Sequence, residues 1–356
     1  MRVLMDVTSL MDRNLTGIGT YIKNLVSHLQ TIPSVNIDGA WYAEKYKKRD
    51  IISTHISLTL KPYFRFISAF NFGKYDIFHG PDYKIPSSSF YKKVVTIHDL
   101  VDYESTIIDK KRAEYGIHKF EKMLFKARPD MIITVSDFTR NCLLSRFPQF
   151  ESITKTIYLG IDHISSFEPA ASRKKPFPFP YIIFVGTIDK RKNLVKVIEA
   201  FEIAKERLGD LHLLIVGKDG YCHEISDEKI KGSRYAPYIH RLGFVAEEEL
   251  ADIYSHAEAF VFPSLYEGFG IPVLEAMSIG CPVITSNRGA MKEISGNAAI
   301  LVDPNDAEEI SHRIVELCGN TARRVKLIEE GRLWSKKFRW SKCAKETSEV
   351  YKALLE

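Results

Sequence analysis

Two carboxylates and two glycines stand close together in one short stretch of this chain. Glu267 and Glu275 lie eight positions apart, and Gly268 and Gly270 lie between them. Pro272 fits the first position of a helix, so Glu275 is expected in its first turn and Glu267 on the preceding loop. Glycines let the backbone approach a ligand closely, and a helix start presents unpaired N–H groups to a phosphate. The stretch therefore favours a ligand that carries both phosphate and hydroxyl groups.

The same stretch divides its groups between two parts of such a ligand. Glu275 would accept hydrogen bonds from two adjacent hydroxyls of a ribose, and Glu267 would hold hydroxyls of whatever the phosphate carries. The phosphate itself would meet the backbone of Gly268, Phe269, Gly270 and Ile271. This set fits a sugar nucleotide. Taken singly, each glutamate also has an ordinary interpretation, Glu275 as a helix-capping residue and Glu267 as a solvated loop carboxylate.

A basic segment stands at another expected strand-to-helix junction. Lys190, Arg191 and Lys192 follow an apolar run that ends at Gly186. Cations at a helix start oppose the helix dipole, and an anionic ligand would offset that cost. An exposed basic turn without a ligand is the alternative interpretation.

The stretch from Pro263 to Met277, followed by Gly280 and Pro282, resembles the E-x7-E motif of retaining glycosyltransferases of family 4, which have the GT-B fold. The resemblance implies that Lys192, with Arg191 beside it, contacts the donor diphosphate, and that His98 lies close to the transferred sugar. With Glu267, these are the expected catalytic residues.

The resemblance also bears on the donor. Thr187 stands where many family members have an arginine that touches phosphate, and the surrounding form resembles the mannosyltransferase-like branch. GDP-mannose is therefore the first expectation for the donor, and a UDP-sugar the second. By position, the base is expected near Gly217, Lys218 and the run Gly243, Phe244 and Val245.

The first expected strand-to-helix turn also carries glycines. Gly17 and Gly19 precede a helix, and they favour a loop that faces the donor phosphates or the transferred sugar. A dinucleotide fingerprint is an alternative, because Asp38 follows about 20 residues later at the end of an expected strand. The third glycine of that fingerprint is Ile22 here, which argues against a nicotinamide or flavin site. A plain helix-start turn is the remaining interpretation.

Polar side chains follow two other expected strands. His79 ends one, and His98 and Asp99 end the next. Ligands of open α/β sheets gather at the carboxyl ends of strands, so His79 and Asp99 are candidates for contact with the acceptor. A lone histidine is more often structural.

Two basic stretches of the first half allow a peripheral membrane contact. Residues 41–74 mix aromatic and basic side chains, and residues 109–126 form a basic amphipathic helix. Such segments suit anionic lipid surfaces. Solvated basic faces beside an aromatic core are the alternative.

The composition limits the class of protein. Of 356 residues, 45% are hydrophobic and 27% charged, and the net charge of +5 does not require nucleic acid. Five scattered cysteines form no C-x-x-C pair, so neither a zinc site nor a disulfide framework is expected. The N-terminus does not resemble a signal peptide, and no apolar run suffices to span a membrane. A cytoplasmic protein is expected, with a peripheral position on the inner face of the plasma membrane left open.

The expected fold class is α/β with GT-B architecture, in which two Rossmann-like domains with parallel sheets face a central cleft. The second half alternates strands and helices, which is typical of βαβ units. The expected boundaries are an acceptor-binding domain over 1–165, a linker over 166–180 and a nucleotide-sugar-binding domain over 181–340. A C-terminal helix over 341–356 is expected to cross back to the first domain.

The implied activity is retaining transfer of a hexose, mannose first, to a glycan or lipid-linked glycan of a cell-surface polysaccharide. No cofactor and no metal are expected, because the basic groups supply positive charge and no Asp-x-Asp motif is present. The rival hypotheses are a nucleotide-sugar-binding protein without transfer activity, a sugar-nucleotide epimerase, a phosphorylase and a nicotinamide enzyme.

Overall fold

The computed structural model of the chain describes residues 1–63, 74–86, 91–104, 106–164 and 175–356. These residues form two compact units. Unit 1 contains Met1–Gly160 together with Arg339–Glu356, and unit 2 contains Ile161–Phe338. The domain boundaries expected at 165, 181 and 340 stay predictions. Residues 166–174 of the expected linker lie outside the described residues.

Unit 1 is built on a parallel sheet with the order β3-β2-β1-β4-β5-β6-β7. Its strands are β1 (Arg2–Asp6), β2 (Asn36–Tyr42), β3 (Leu60–Tyr63), β4 (Ile77–Gly80), β5 (Lys92–Ile97), β6 (Met131–Thr134) and β7 (Thr154–Thr156). The central strands are apolar and buried along almost their whole length, as expected where helices cover both faces of a sheet. The order reverses between β1 and β4, which makes the edge beyond those two strands a topological switch point.

The helices of this part of unit 1 are α1 (Gly17–Leu29), α2 (Arg49–His55), α3 (Lys110–Lys122) and α4 (Asp137–Arg146). Two of them begin at side-chain caps. The Asp109 carboxylate accepts the backbone N–H of Arg112, and the Ser136 hydroxyl accepts that of Thr139. These caps place the start of α3 and α4 at the polar residues that the sequence offers.

Unit 2 is built on a second parallel sheet with the order β10-β9-β8-β11-β12-β13. Its strands are β8 (Tyr181–Val185), β9 (His212–Val216), β10 (Ile239–Gly243), β11 (Ala259–Phe262), β12 (Val283–Ser286) and β13 (Ile300–Val302). Its helices are α5 (Leu194–Leu208), α6 (His223–Gly232), α7 (Glu247–His256), α8 (Ile271–Ile279), α9 (Met291–Ser295), α10 (Ala307–Gly319) and α11 (Thr321–Ser335). Strands β8 and β11 are buried at every residue and form the centre of the core.

The last helix, α12 (Trp340–Ala353), belongs to unit 1, as expected for the C-terminal helix. Trp340 and Tyr351 are fully buried there. The chain passes Gly160 so closely to this helix that a Cβ at residue 160 would lie 2.1 Å from the Trp340 nitrogen. A glycine is therefore needed at residue 160, where the chain passes from unit 1 to unit 2.

Two details of the first half differ from expectation. Asp38 lies in the middle of β2 rather than at its end, where it pairs with Leu4 and accepts a 2.5 Å hydrogen bond from the Tyr75 hydroxyl. The stretch 41–74 contains α2 and β3, which its sequence pattern did not predict, and residues 64–73 lie outside the described residues. Trp41 and Tyr63 from this stretch are buried in the core. In the described ranges, no helix has both the length and the apolar character needed to cross a membrane.

Candidate active site

A buried cluster of charges lies at the carboxyl end of β8 and β11 in unit 2. The Glu267 carboxylate accepts from the Arg191 guanidinium at 2.9 Å through Oε2 and from the Lys192 ammonium at 2.7 Å through Oε1. The Ser264 hydroxyl lies 3.0 Å from the same Oε1. All three charged side chains are largely buried. The Asp189 carboxylate also lies 4.0 Å from the Arg191 guanidinium, so two cations and two carboxylates balance in this cluster.

The ionisation of Glu267 follows from these neighbours. Burial favours the neutral acid, but the charges of Arg191 and Lys192 outweigh it and hold the pKa of Glu267 below its ordinary value. The carboxylate is therefore charged at neutral pH. Its contacts with protein use about three of roughly four acceptor positions, which leaves room for one hydroxyl of a ligand.

The two loops that carry this cluster are joined through their backbones. The Asp189 carboxylate caps the short turn over Lys190–Lys192 by accepting the Lys192 N–H. The Leu265 N–H donates to the Arg191 carbonyl at 2.9 Å. Asn193 adopts a left-handed conformation (φ 61°), which asparagine tolerates well, and its amide donates to the Pro263 carbonyl at 3.0 Å. The positions of both cations are therefore fixed relative to the Glu267 loop.

The glycine-bearing loop leads into helix α8. Gly270 caps the helix with φ 105°, a conformation that favours glycine, and a Cβ there would lie 2.3 Å from Met291 Cε. Helix α8 begins at Ile271, one residue before the expected start at Pro272. At its start, the Val273 N–H donates to the Gly270 carbonyl at 3.1 Å, and Pro272 has no N–H. Gly268 and Phe269 precede Gly270 on the loop, as expected.

Glu275 lies on α8 and is only 8% exposed. Its position is in the second helical turn, because α8 begins at Ile271. Its Oε1 pairs with His163 Nε2 at 2.9 Å. His163 was not singled out from the sequence, and its separation of 112 residues from Glu275 explains why. No local pattern signals such a pair.

The positions expected around the base also come together in unit 2. The Gly217 N–H at the end of β9 donates to the Gly243 carbonyl at the end of β10 at 2.7 Å. Phe244 is 52% exposed, whereas Val245 is buried. Thr187 lies on the loop after β8, beside Gly220, where a Cβ would approach the Thr187 methyl to 2.6 Å. These residues line one edge of the sheet.

The expected residues of unit 1 lie at the corresponding edge of its own sheet. Gly17 is the first residue of α1, and Gly19 lies within that helix, where a Cβ would approach Leu15 to 2.9 Å. The His98 ring donates through Nε2 to the Pro81 carbonyl at 2.8 Å. Burial lowers the pKa of His98, although that bond and nearby carboxylates favour protonation. Asp99 accepts the Val101 N–H through its side chain.

His79 occupies a different environment from the other expected residues. It is completely buried, and its ring nitrogens bond to the Tyr351 hydroxyl at 2.6 Å and the Thr96 hydroxyl at 2.8 Å. Burial lowers the pKa of His79 to about 3. The ring therefore joins β4, β5 and α12 as a neutral core group, and this geometry gives no support to the expected acceptor contact.

A polar cluster at the switch point of unit 1 was not expected. Asp6 ends β1, and its buried carboxylate accepts from the Thr8 N–H at 2.7 Å and the Tyr63 hydroxyl at 2.6 Å. Beyond β4, Asp82 pairs with Lys84 at 2.5 Å and accepts from the Ser9 hydroxyl at 3.0 Å. The rule that selected His79 and His98, a polar residue at the carboxyl end of a strand, also selects Asp6.

Comparison with known proteins identifies the family. Residues 168–334 match the model of glycosyl transferases group 1. The O-antigen chain mannosyltransferase B of Escherichia coli is 30% identical over 286 residues, which cover 78% of this chain and 74% of that protein. The chain belongs to the group 1 glycosyltransferases.

Solved structures establish the architecture of this group 1 glycosyltransferase. Sucrose-phosphate synthase from Thermosynechococcus elongatus superimposes with a TM-score of 0.79 at 20% identity, over 100% of this chain and 99% of its own. Anabaena HepE in complex with UDP and glucose superimposes with a TM-score of 0.78 at 14% identity, over 99% of this chain and 100% of its own. The expected GT-B fold is thereby confirmed.

The arrangement gives this group 1 glycosyltransferase a site suited to an anion. Positive charge comes from the Lys192–Arg191 turn and from the start of α8, and hydrogen-bond acceptors come from Glu267 and Glu275. Within the described part of the chain, no group of three or more His, Cys, Asp or Glu side chains is arranged to hold a metal ion.

Proposed function

We propose that the protein is a retaining mannosyltransferase that uses GDP-mannose to extend a glycan or lipid-linked glycan of a cell-surface polysaccharide. The observation that carries the proposal is the buried Arg191–Lys192–Glu267 cluster beside the start of α8. The choice of mannose follows the similarity to the O-antigen chain mannosyltransferase B.

The donor diphosphate would lie between the two cations and the start of α8. Charge builds on the phosphate oxygen as the sugar–phosphate bond breaks, and groups already fixed in place stabilise that charge most effectively. Arg191 and Lys192 meet this condition because Asp189, Ser264 and Glu267 hold them before any ligand arrives. These groups supply the positive charge, so we propose that transfer needs no metal ion.

The nucleoside would occupy the neighbouring positions. Glu275 on α8 would accept the two ribose hydroxyls. The base would lie against the exposed ring of Phe244 and the backbone of Gly217 and Gly243. Glu267, with its remaining acceptor position, would bind one hydroxyl of the mannose.

Retention of the anomeric configuration would follow from reaction on one face of the sugar. The bond between the anomeric carbon and the phosphate oxygen breaks, and the acceptor oxygen forms its bond to that carbon on the same face. The departing phosphate oxygen takes the acceptor proton. Glu267 orients the sugar and does not attack it, and His98 would lie near the transferred sugar.

The acceptor glycan would bind to unit 1 at its switch point. Ser9, Asp82 and Lys84 present hydroxyl, carboxylate and ammonium groups there, and Asp6 is buried behind them. Such a mixture of donors and acceptors suits sugar hydroxyls, and Lys84 suits a phosphate linked to the acceptor. His98 and Asp99 lie after the neighbouring strand β5 on the same edge.

The test is a transfer assay with radiolabelled GDP-mannose, UDP-glucose and UDP-galactose and a mixture of lipid-linked and free oligosaccharide acceptors. We expect transfer from GDP-mannose, an α-linked product by NMR and undiminished activity after exhaustive chelation. Asp82→Asn and Lys84→Ala should raise the KM for acceptor at least several-fold with little change in donor KM. Transfer from a UDP-sugar alone, an inverted product or loss of activity on chelation would each overturn the corresponding part of the proposal.

A further inference from the structure

His163 forms a buried pair with the glutamate of helix α8. Its Nε2 lies 2.9 Å from Glu275 Oε1, and the two side chains are only 6% and 11% exposed. The carboxylate oxygen accepts and the His163 ring donates in this pair, which requires a proton on Nε2. The bond therefore fixes both the tautomer of the ring and the direction of the carboxylate.

The segment that carries His163 is firmly anchored in unit 2. Ile161 and Ile164 on either side of it are buried, and the Ile164 N–H donates to the Ile161 carbonyl at 3.3 Å. The Ile161 N–H donates to the Phe338 carbonyl at 3.2 Å. The Phe338 ring packs edge-on against Phe269 of the glycine-bearing loop, with 6.0 Å between ring centroids. The segment of His163 is thus connected, through Phe338, to the glycine-bearing loop that precedes α8.

The pair leaves Glu275 able to accept further hydrogen bonds. A carboxylate has roughly four acceptor positions, and the bond from His163 uses one of them on Oε1. Two adjacent hydroxyls, such as those of a ribose, need two more. A glutamate side chain has several rotatable bonds and loses this freedom when it is ordered, so a fixed partner on one oxygen prepares the carboxylate for such a ligand.

We propose that His163 is a positioning residue that holds Glu275 for the 2′- and 3′-hydroxyls of a ribonucleoside diphosphate, and thereby sets the preference for ribose over 2′-deoxyribose. The inference rests on the proposed donor site at Glu275. A positioning role of His163 differs from a purely structural role in one measurable respect. A structural role affects ribo- and deoxyribonucleotides equally, whereas a positioning role affects chiefly the ligand that carries the 2′-hydroxyl.

The test compares the dissociation constants of GDP and 2′-deoxy-GDP by calorimetry, with UDP and 2′-deoxy-UDP as a second pair. The key variants are His163→Gln and His163→Asn. Both keep a polar amide, but the glutamine nitrogen reaches the place of Nε2, and the asparagine nitrogen reaches only that of Nδ1. His163→Ala removes the donor altogether, Glu275→Gln changes the acceptor itself, and His256→Ala at the end of α7 is the control.

We expect His163→Ala and His163→Asn to weaken GDP binding about tenfold, the typical effect of losing a charge-assisted hydrogen bond. Binding of 2′-deoxy-GDP should weaken less, because that ligand offers Glu275 only the 3′-hydroxyl. His163→Gln should restore the ribose preference, and His256→Ala should keep it. Suppose that Glu275→Gln loses the preference for GDP over 2′-deoxy-GDP. The role of His163 would then be overturned if His163→Ala weakened the binding of both nucleotides equally, or if His163→Asn kept the wild-type preference. If Glu275→Gln keeps the wild-type preference, the proposed donor site itself is wrong.

Discussion

Lys192 and Glu267 form a buried ion pair that keeps the Lys192 ammonium in position for an anionic ligand. A charge without a partner is costly inside a protein, and here each charged group has an opposite partner within 3 Å. Removing one partner exposes the other to the full cost of burial. Pairing therefore keeps both cations in place and ready for an anion.

At this scale, replacing Lys192 with alanine tests the role of the cation. We expect transfer to fall on the order of 100-fold, because a preorganised group that stabilises the departing phosphate is lost. Lys190→Ala, in the same turn but exposed, is the matched control and should stay within about twofold of wild type. Steady-state rates at saturating donor, with a melting curve for each variant, make the measurement. Equal rates in the two variants would remove Lys192 from the site.

The sequence suggested single residues of the candidate site but not the contacts between them. Glu267, Glu275, Arg191 and Lys192 could be found because their motifs are local. The ion pairs of Glu267 could not, since they join segments 75 or more residues apart. His163 lies in no recognisable pattern, and its role appears only when the fold brings it to Glu275.

The elements of unit 2 were predictable because most of its strands are continuous apolar runs and its helices carry clear periodicity. The apolar run predicts a strand over Ala259–Phe262 and the helical spacing predicts a helix over Glu247–His256, and β11 and α7 have these bounds. Helix α6 was missed because it carries many charges and buries only Ser226, and α9 because it has only five residues. In unit 1, α2 and β3 are short and lie in a mixed basic and aromatic stretch. Neither the helical period of 3.6 residues nor the strand period of 2 dominates there.

Helix α12 is attached to unit 1 through a polar contact in the core, between the Tyr351 hydroxyl and His79. Tyr351→Phe removes the hydroxyl that bonds His79 and leaves a buried ring nitrogen without its partner. We expect a loss of about 1–3 kcal/mol in the free energy of unfolding of unit 1, measured by urea denaturation. Tyr115→Phe, whose side chain is 71% exposed in α3, is the control. A Tyr351→Phe midpoint equal to that of the control would contradict the assigned contact.

The same contact makes the stability of unit 1 depend on pH. Burial and the nearby His98 lower the pKa of His79 to about 3, whereas an unfolded histidine titrates near 6.5. Between these values the unfolded chain binds the proton and the folded chain does not. The stability is therefore fully present above about pH 6.5 and is lost as the pH falls, by up to about 1.4 kcal/mol per pH unit.

Urea midpoints between pH 7.5 and 5.5 measure this slope, because most carboxylates stay ionised in that range. Burial also lowers the pKa of His98 in unit 1 and of His212 and His240 in unit 2, and each adds a slope of the same sign. His79→Gln should reduce the pH dependence of the stability of unit 1 and leave the contribution of His98. A slope unchanged by that substitution would show that His79 is protonated in the fold.

Helix α3 and the residues just after it carry exposed aromatic side chains that could form the expected peripheral membrane contact. Tyr115 and Phe125, in and just after α3, are 71% and 47% exposed, and they stand among exposed lysines and arginines. Aromatic and basic side chains together suit an anionic lipid surface. We propose that this face brings the enzyme to a lipid-linked acceptor.

Co-sedimentation with phosphatidylglycerol-containing vesicles checks this proposal. We expect binding that weakens at high salt, is absent with phosphatidylcholine alone and drops several-fold in the Tyr115→Ser, Phe125→Ser double variant. Tyr238→Ser, an exposed tyrosine of unit 2, should bind as wild type does. Binding that survives the double variant would place the membrane contact elsewhere.

We propose that unit 2 binds a guanosine diphosphate sugar at the Glu267–Glu275 stretch, and thermal stabilisation by nucleotides measures this binding. A ligand specific for the folded state stabilises by about 2.7 kcal/mol at 100 times its dissociation constant. We predict a shift of the melting temperature with GDP and GDP-mannose, little shift with UDP, ADP or NAD, and loss of the GDP shift in Glu275→Ala. A shift with NAD alone, or an equal GDP shift in Glu275→Ala, would contradict the account.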